Sequence, residues 1–217
     1  MLIQGQVGQP AAKSMAGGST PPVRQGQLGD VIVSELHGRY YETAYQRNLF
    51  TGVLTAGTTT SAGLATSFTG LMLYNPPNST VNCAVTKIGM SFLVAFSAAA
   101  AVGVMTAQTM TPLATFSTTN TALKNNFVGR AGVGVGQAQV YASATIATAE
   151  PGLPGIHMLF GAGLTGAITT TPQVPGFFVD LEGSLILPPG AYMATYTSTA
   201  SGASSMFASF TWEEIPL

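Results

Sequence analysis

Apolar and polar side chains alternate with a period of two along the carboxy-terminal forty residues. Met206, Ala208, Phe210 and Trp212 take one parity, and Phe207, Ser209, Thr211 and Glu213 take the other. That spacing puts one set on each face of a β-strand. Upstream, Phe177-Phe178-Val179-Asp180-Leu181 predicts a strand that Gly183 interrupts and Ser184–Leu187 resumes. Pro188-Pro189-Gly190 predicts a tight turn, Ala191–Tyr196 a strand running back, and Ser198–Ser204 a small-residue loop.

The same grammar extends upstream. In Gln137–Ala147, Ala138, Val140, Ala142 and Ala144 alternate with Gln139, Tyr141, Ser143 and Thr145. Val81–Lys87, Ser91–Phe96, Val102–Ala107 and Ile156–Phe160 read as further strands, and Leu71–Tyr74 ends in the turn signal Asn75-Pro76-Pro77-Asn78. No stretch carries a convincing amphipathic period of 3.6 with capping residues. Residues 30–50 interleave Asp30, Glu35, His37, Arg39, Glu42 and Arg47 with apolar and tyrosine side chains. Their first part, Asp30–Leu36, is β-like, and the second fits a strand or a short helix. Residues 1–29, dominated by Gly, Gln, Pro and Ser, read as an extended arm, either solvated or docked on a neighbouring subunit. The expectation is an all-β chain: a β-sandwich or jelly-roll-like domain over 30–217 with an extended amino-terminal arm.

Composition sharpens this. Of 217 residues, 46% are hydrophobic and only 7% charged, against roughly 25% charged in ordinary soluble domains. Interface cores are depleted of Lys, Glu and Asp, so the deficit predicts a surface partly covered by partner subunits. The seven basic residues are scattered and the net charge is −1, which argues against a phosphate-binding nucleic-acid partner and against an anionic membrane surface. Ile88–Ala107 runs twenty residues without a charge. Its Ala, Gly, Ser and Thr content predicts a strand, an Ala-rich turn and a second strand in place of a membrane helix. The amino terminus has no basic region before an apolar core, so no signal peptide is expected.

Candidate chemistry is sparse. Gly161-Ala162-Gly163-Leu164-Thr165-Gly166 matches a dinucleotide fingerprint. The β-branched, proline-broken stretch after it predicts no helix to receive a pyrophosphate. Gly129–Gly136 lacks the Lys-Ser/Thr ending of a phosphate loop. His157, between Ile156 and Met158, is expected as a satisfied core or interface histidine, and His37 at a surface or interface. Cys83 is expected as a small buried hydrophobe; as the sole cysteine it excludes an internal disulfide. The acidic pairs Asp180/Glu182 and Glu213/Glu214 are expected at solvent-facing strand ends. Asn78-Ser79-Thr80 fits a glycan acceptor only in a secreted chain. No catalytic residue, cofactor or metal site is expected.

Tyr and Trp are enriched at interfaces, which makes Arg39, Tyr40, Tyr41, Glu42, Tyr45, Arg47 and Trp212 the candidate contact residues, with core packing the alternative for Trp212. Gly183-Ser184-Leu185-Ile186-Leu187-Pro188-Pro189-Gly190-Ala191-Tyr192-Met193, a small-residue loop, and Ser205 to Glu214 together resemble virion structural proteins of tailed bacteriophages. The layout is also similar to the last two strands of trimeric jelly-roll heads of the TNF/C1q type. The resemblance implies a capsid decoration or cement protein, homotrimeric, made in the host cytoplasm and bound to the major capsid protein or other virion proteins, with the arm over neighbouring subunits. A tail, baseplate or fibre component and a glycan- or ester-cleaving enzyme are the competing readings; the scarcity of acids and histidines counts against the enzyme.

Overall fold

The computed structural model describes residues 5–7, 23–25, 38–109, 113, 115–128, 136–146, 154–163 and 176–217. The chain divides into two compact units, Met1–Tyr41 and Glu42–Leu217. In the first, β1 (Gly5–Val7) and β2 (Val23–Gln25) pair in parallel. The β-like stretch Asp30–Leu36 and His37 lie outside the described residues. A single helical turn, α1 (Tyr41–Tyr45), spans the boundary.

The second unit is a β-sandwich. Its strands are β3 (Leu49–Leu54), β4 (Ser67–Tyr74), β5 (Val81–Phe92), β6 (Ala100–Gln108), β7 (Phe116–Ser117), β8 (Thr121–Asn125), β9 (Gln139–Thr145), β10 (Gly155–Gly163), β11 (Phe177–Leu187), β12 (Ala191–Thr197) and β13 (Met206–Pro216). One sheet has six strands in the order β10-β6-β12-β4-β9-β7, and the other five in the order β11-β5-β13-β3-β8. All pairs in both sheets are antiparallel, yet no two consecutive strands of this unit pair with each other. Most connections cross between layers instead, β6 to β7 and β9 to β10 being the ones that stay in the six-stranded sheet. Pro188-Pro189-Gly190 closes a turn, with the Ala191 N–H donating to the Pro188 carbonyl at 2.9 Å. That turn carries β11 in one sheet to β12 in the other rather than closing a hairpin.

Alternation explains the core. Leu71 and Leu73 of β4, Val102 and Val104 of β6, and Met193 of β12 meet Val85, Ile88 and Met90 of β5 and Phe210 and Trp212 of β13 between the sheets. The residues of opposite parity on the six-stranded sheet, Met72, Tyr74, Met105, Tyr192 and Tyr196, form a second buried cluster on its other face. Gly52 in β3 is required at the centre. A Cβ there would stand 2.6 Å from Val140 Cγ2 and 3.2 Å from Trp212 Cζ3.

Three strand expectations change in detail. Val81–Lys87 and the start of Ser91–Phe96 form one continuous twelve-residue strand, because Gly89 pairs with Ser209 and Phe178 and so does not break it. The strand predicted over Gln137–Ala147 is Gln139–Thr145. Its two parities do not separate buried from exposed, since Tyr141 packs in the second cluster while Val140 packs in the first. Ile88–Ala107 is the end of β5, a turn and β6, and among the described residues no helix is long and apolar enough to cross a membrane.

Candidate interaction surface

Among the described residues no further layer covers the outer face of the five-stranded sheet. Antiparallel register sets Phe178, Gly89, Ser209 and Val53 side by side across β11, β5, β13 and β3. Asp180, Lys87, Thr211, Thr51 and Lys124 form the next row. Their strand neighbours Ile88, Met90, Ala208 and Phe210 point into the core, so period-two alternation sends both rows outward.

A groove of about 440 Å³ runs along the first row, floored by Gly89 and Ser209 and walled by Phe178, Phe207 and Val53. Glycine keeps the floor low: a Cβ at Gly89 would lie 2.9 Å from Ser209 Oγ. Phe178 is 70% exposed. The polar row is bonded within itself, the Thr51 hydroxyl donating to Asn126 Oδ1 at 2.8 Å and lying 3.2 Å from the Thr211 hydroxyl. Lys87 Nζ lies 6.0 Å from the Phe178 ring centroid. The face thus combines an apolar trough with a row of hydroxyls that already have partners and of charges, Asp180, Lys87 and Lys124, so the trough is the part that costs little to desolvate.

Two edge strands, β11 of this sheet and β10 of the other, carry irregularities. β10 carries register shifts between Ile156 and Met158 and between Leu159 and Gly161. β11 carries one between Asp180 and Leu185, where Glu182 and Gly183 adopt φ of 54° and 83°. Bulges and charges at an edge oppose strand addition from another chain.

The expected contact residues are distributed differently. Arg39, Tyr41, Glu42 and Tyr45 are exposed and Tyr40 and Arg47 half-buried. In the first unit Arg39 lies over the Tyr40 ring at 5.7 Å. In the second, Tyr45 and Arg47 both pack on Phe127, with ring centroids 6.0 Å apart and the guanidinium 5.3 Å from the ring. Trp212 has no exposed surface and stacks on Phe50 at 6.0 Å. Its contacts lie within the chain, and the subunit-contact alternative falls away.

Two further expectations are corrected. His157 is exposed on β10, as are Ile156 and Leu159 on the same edge strand, which removes the core placement and leaves the interface one; it is the extra residue of the bulge between Ile156 and Met158. Its Nδ1 lies 3.4 Å from the Thr106 hydroxyl. Glu214 is buried rather than solvent-facing. Its Oε2 accepts the Gln137 N–H at 2.9 Å, and its Oε1 accepts the Ala138 N–H at 3.0 Å and the Trp212 indole N–H at 3.4 Å. The signal for this was in the alternation, since Glu214 shares the parity of Phe210 and Trp212.

Asp180 and Glu182 are solvent-facing, and the Asp180 carboxylate accepts the Glu182 N–H at 3.0 Å in a local turn. Cys83 is buried as expected; burial, and secondarily the charge of Glu214, pushes its thiol far up. Among the described residues no three His, Cys, Asp or Glu side chains gather as metal ligands. Gly161–Gly163 of the glycine fingerprint runs as strand paired with β6, and Leu164–Gly166 lie outside the described residues, as does 129–135.

No protein-family model, no curated protein and no solved structure matches the chain.

Proposed function

We propose that this chain is an assembly protein of a virion, of the capsid decoration or cement type, whose β-sandwich associates with sister copies through the outer face of the five-stranded sheet. The observation that carries the reading is the trough at Phe178, an exposed phenyl ring beside a glycine-floored apolar groove on an open sheet face. Exposed apolar patches of this kind mark association sites. With only 7% charged residues the surface has little repulsion to keep copies apart. The carboxy-terminal resemblance supplies the virion setting.

Quantitative protein staining of purified phage particles tests the setting, with hundreds of copies per particle expected of a decoration protein. A few copies per particle, or none, would reject it. Light scattering of the isolated chain at micromolar concentration tests self-association, and a monomer at every concentration would remove the role of the face.

A further inference from the structure

We propose that Glu214 is a charge-dependent tie between the two sheets, and that neutralising its carboxylate frees the start of β9 and opens the slot beside it. Glu214 belongs to β13 of the five-stranded sheet, whereas the Gln137 and Ala138 amides it holds lead directly into β9 of the six-stranded sheet. One side chain therefore bridges the layers at this point.

Among the described residues the groups facing it are few. Cys83 of β5 stands opposite in register, Trp212 donates its indole N–H, and the Phe50 ring of β3 lines the same corner at Gly136. Glu213 takes the other parity, where its Oε1 accepts the Thr43 hydroxyl at 3.2 Å. None of these is a cation, so the buried carboxylate is held by N–H donors. Hydrogen bonds to an ionised acceptor are roughly twice as strong as neutral ones. Removing the charge weakens all three, and a buried donor left unmade is costly.

The second hold on the segment is independent of charge. The Gln137 side chain accepts the Thr80 N–H at 2.8 Å and donates to the Thr80 hydroxyl at 3.0 Å. Beside the tied segment lies a slot of about 440 Å³ with Phe116, Leu123, Val140 and Tyr141 in its walls. Releasing Glu214 leaves the Gln137 hold and the packing of Ala138 in the core, and the slot widens along an apolar wall.

Amide hydrogen exchange of the whole chain, read by nuclear magnetic resonance at neutral pH, tests this. Glu214→Gln, a neutral isostere, should lower the protection of the Gln137 and Ala138 amides about tenfold relative to the Phe210 amide of β13. Trp212, the single tryptophan, should report the lost bond by fluorescence. If that variant does not fold, Gln137→Ala removes the charge-independent hold and should leave the Ala138 amide protected by Glu214. Unchanged protection in Glu214→Gln, loss only together with Phe210, or loss at Ala138 in Gln137→Ala would overturn the proposal.

Discussion

Replacing Phe178 by serine removes the wall of the trough without adding a charge, so it separates association from folding. A phenylalanine side chain buries on the order of 200 Å² when covered. With 70% of this residue exposed in the single chain, about 140 Å² remains for a partner to cover. At about 25 cal/mol per Å² that is roughly 3.5 kcal/mol per copy. It is an upper value, because association also orders side chains and removes rigid-body freedom. The part already buried within the chain, against Gly89 Cα and its neighbours, is worth at most about 1.5 kcal/mol to folding. The expectation is therefore a dissociation constant raised by about a hundredfold, with a urea midpoint close to that of the wild type. Sedimentation velocity over a concentration series, paired with urea denaturation, makes the comparison. Unchanged association, or a stability loss above about 2 kcal/mol, would refute the assignment of this face, since either result places Phe178 in the wrong balance of exposed and buried.

Trp212→Ala should destabilise the sandwich by about 3–5 kcal/mol. It empties the site between Phe50 and Gly52 and strips Glu214 of one donor; denaturant unfolding followed by circular dichroism reads the loss. Alkaline pH should weaken the fold. Burial raises Tyr192 from the ordinary 10.0 to about 12, and burial with the neighbouring Tyr74 does the same for Tyr141. The folded chain therefore keeps protons that the unfolded chain gives up. Stability is full below pH 10 and is lost as pH rises from 10 through 12, which thermal melts across that range will show. Cys83, whose thiol is also pushed up by burial, should react with a thiol reagent at the rate of global unfolding.

The pattern along the chain determined the all-β class and most strand positions, because a period of two is a local property that burial on one side enforces. Phe177–Leu181 with Ser184–Leu187, Ala191–Tyr196 and Ser205–Glu213 could be placed that way, although β11 runs through Gly183, at positive φ, as one strand with a register shift where the pattern predicts an interruption. Pairing could not. Every strand of the sandwich takes partners remote in sequence, and nothing local distinguishes a turn that closes a hairpin from one that crosses between sheets.

The same limit hid the candidate surface. Phe178, Gly89, Ser209 and Val53 come from four separate strands and meet only through register. Parity could mark Trp212 and Glu214 as sharing a side, but only the second layer turns that side into an interior and makes the Glu214 carboxylate a bond between sheets. His157 shows the converse. Its apolar neighbours predict a buried strand, yet on this edge Ile156 is itself exposed, and a bulge, a feature of two paired strands, sets His157 in solvent beside it.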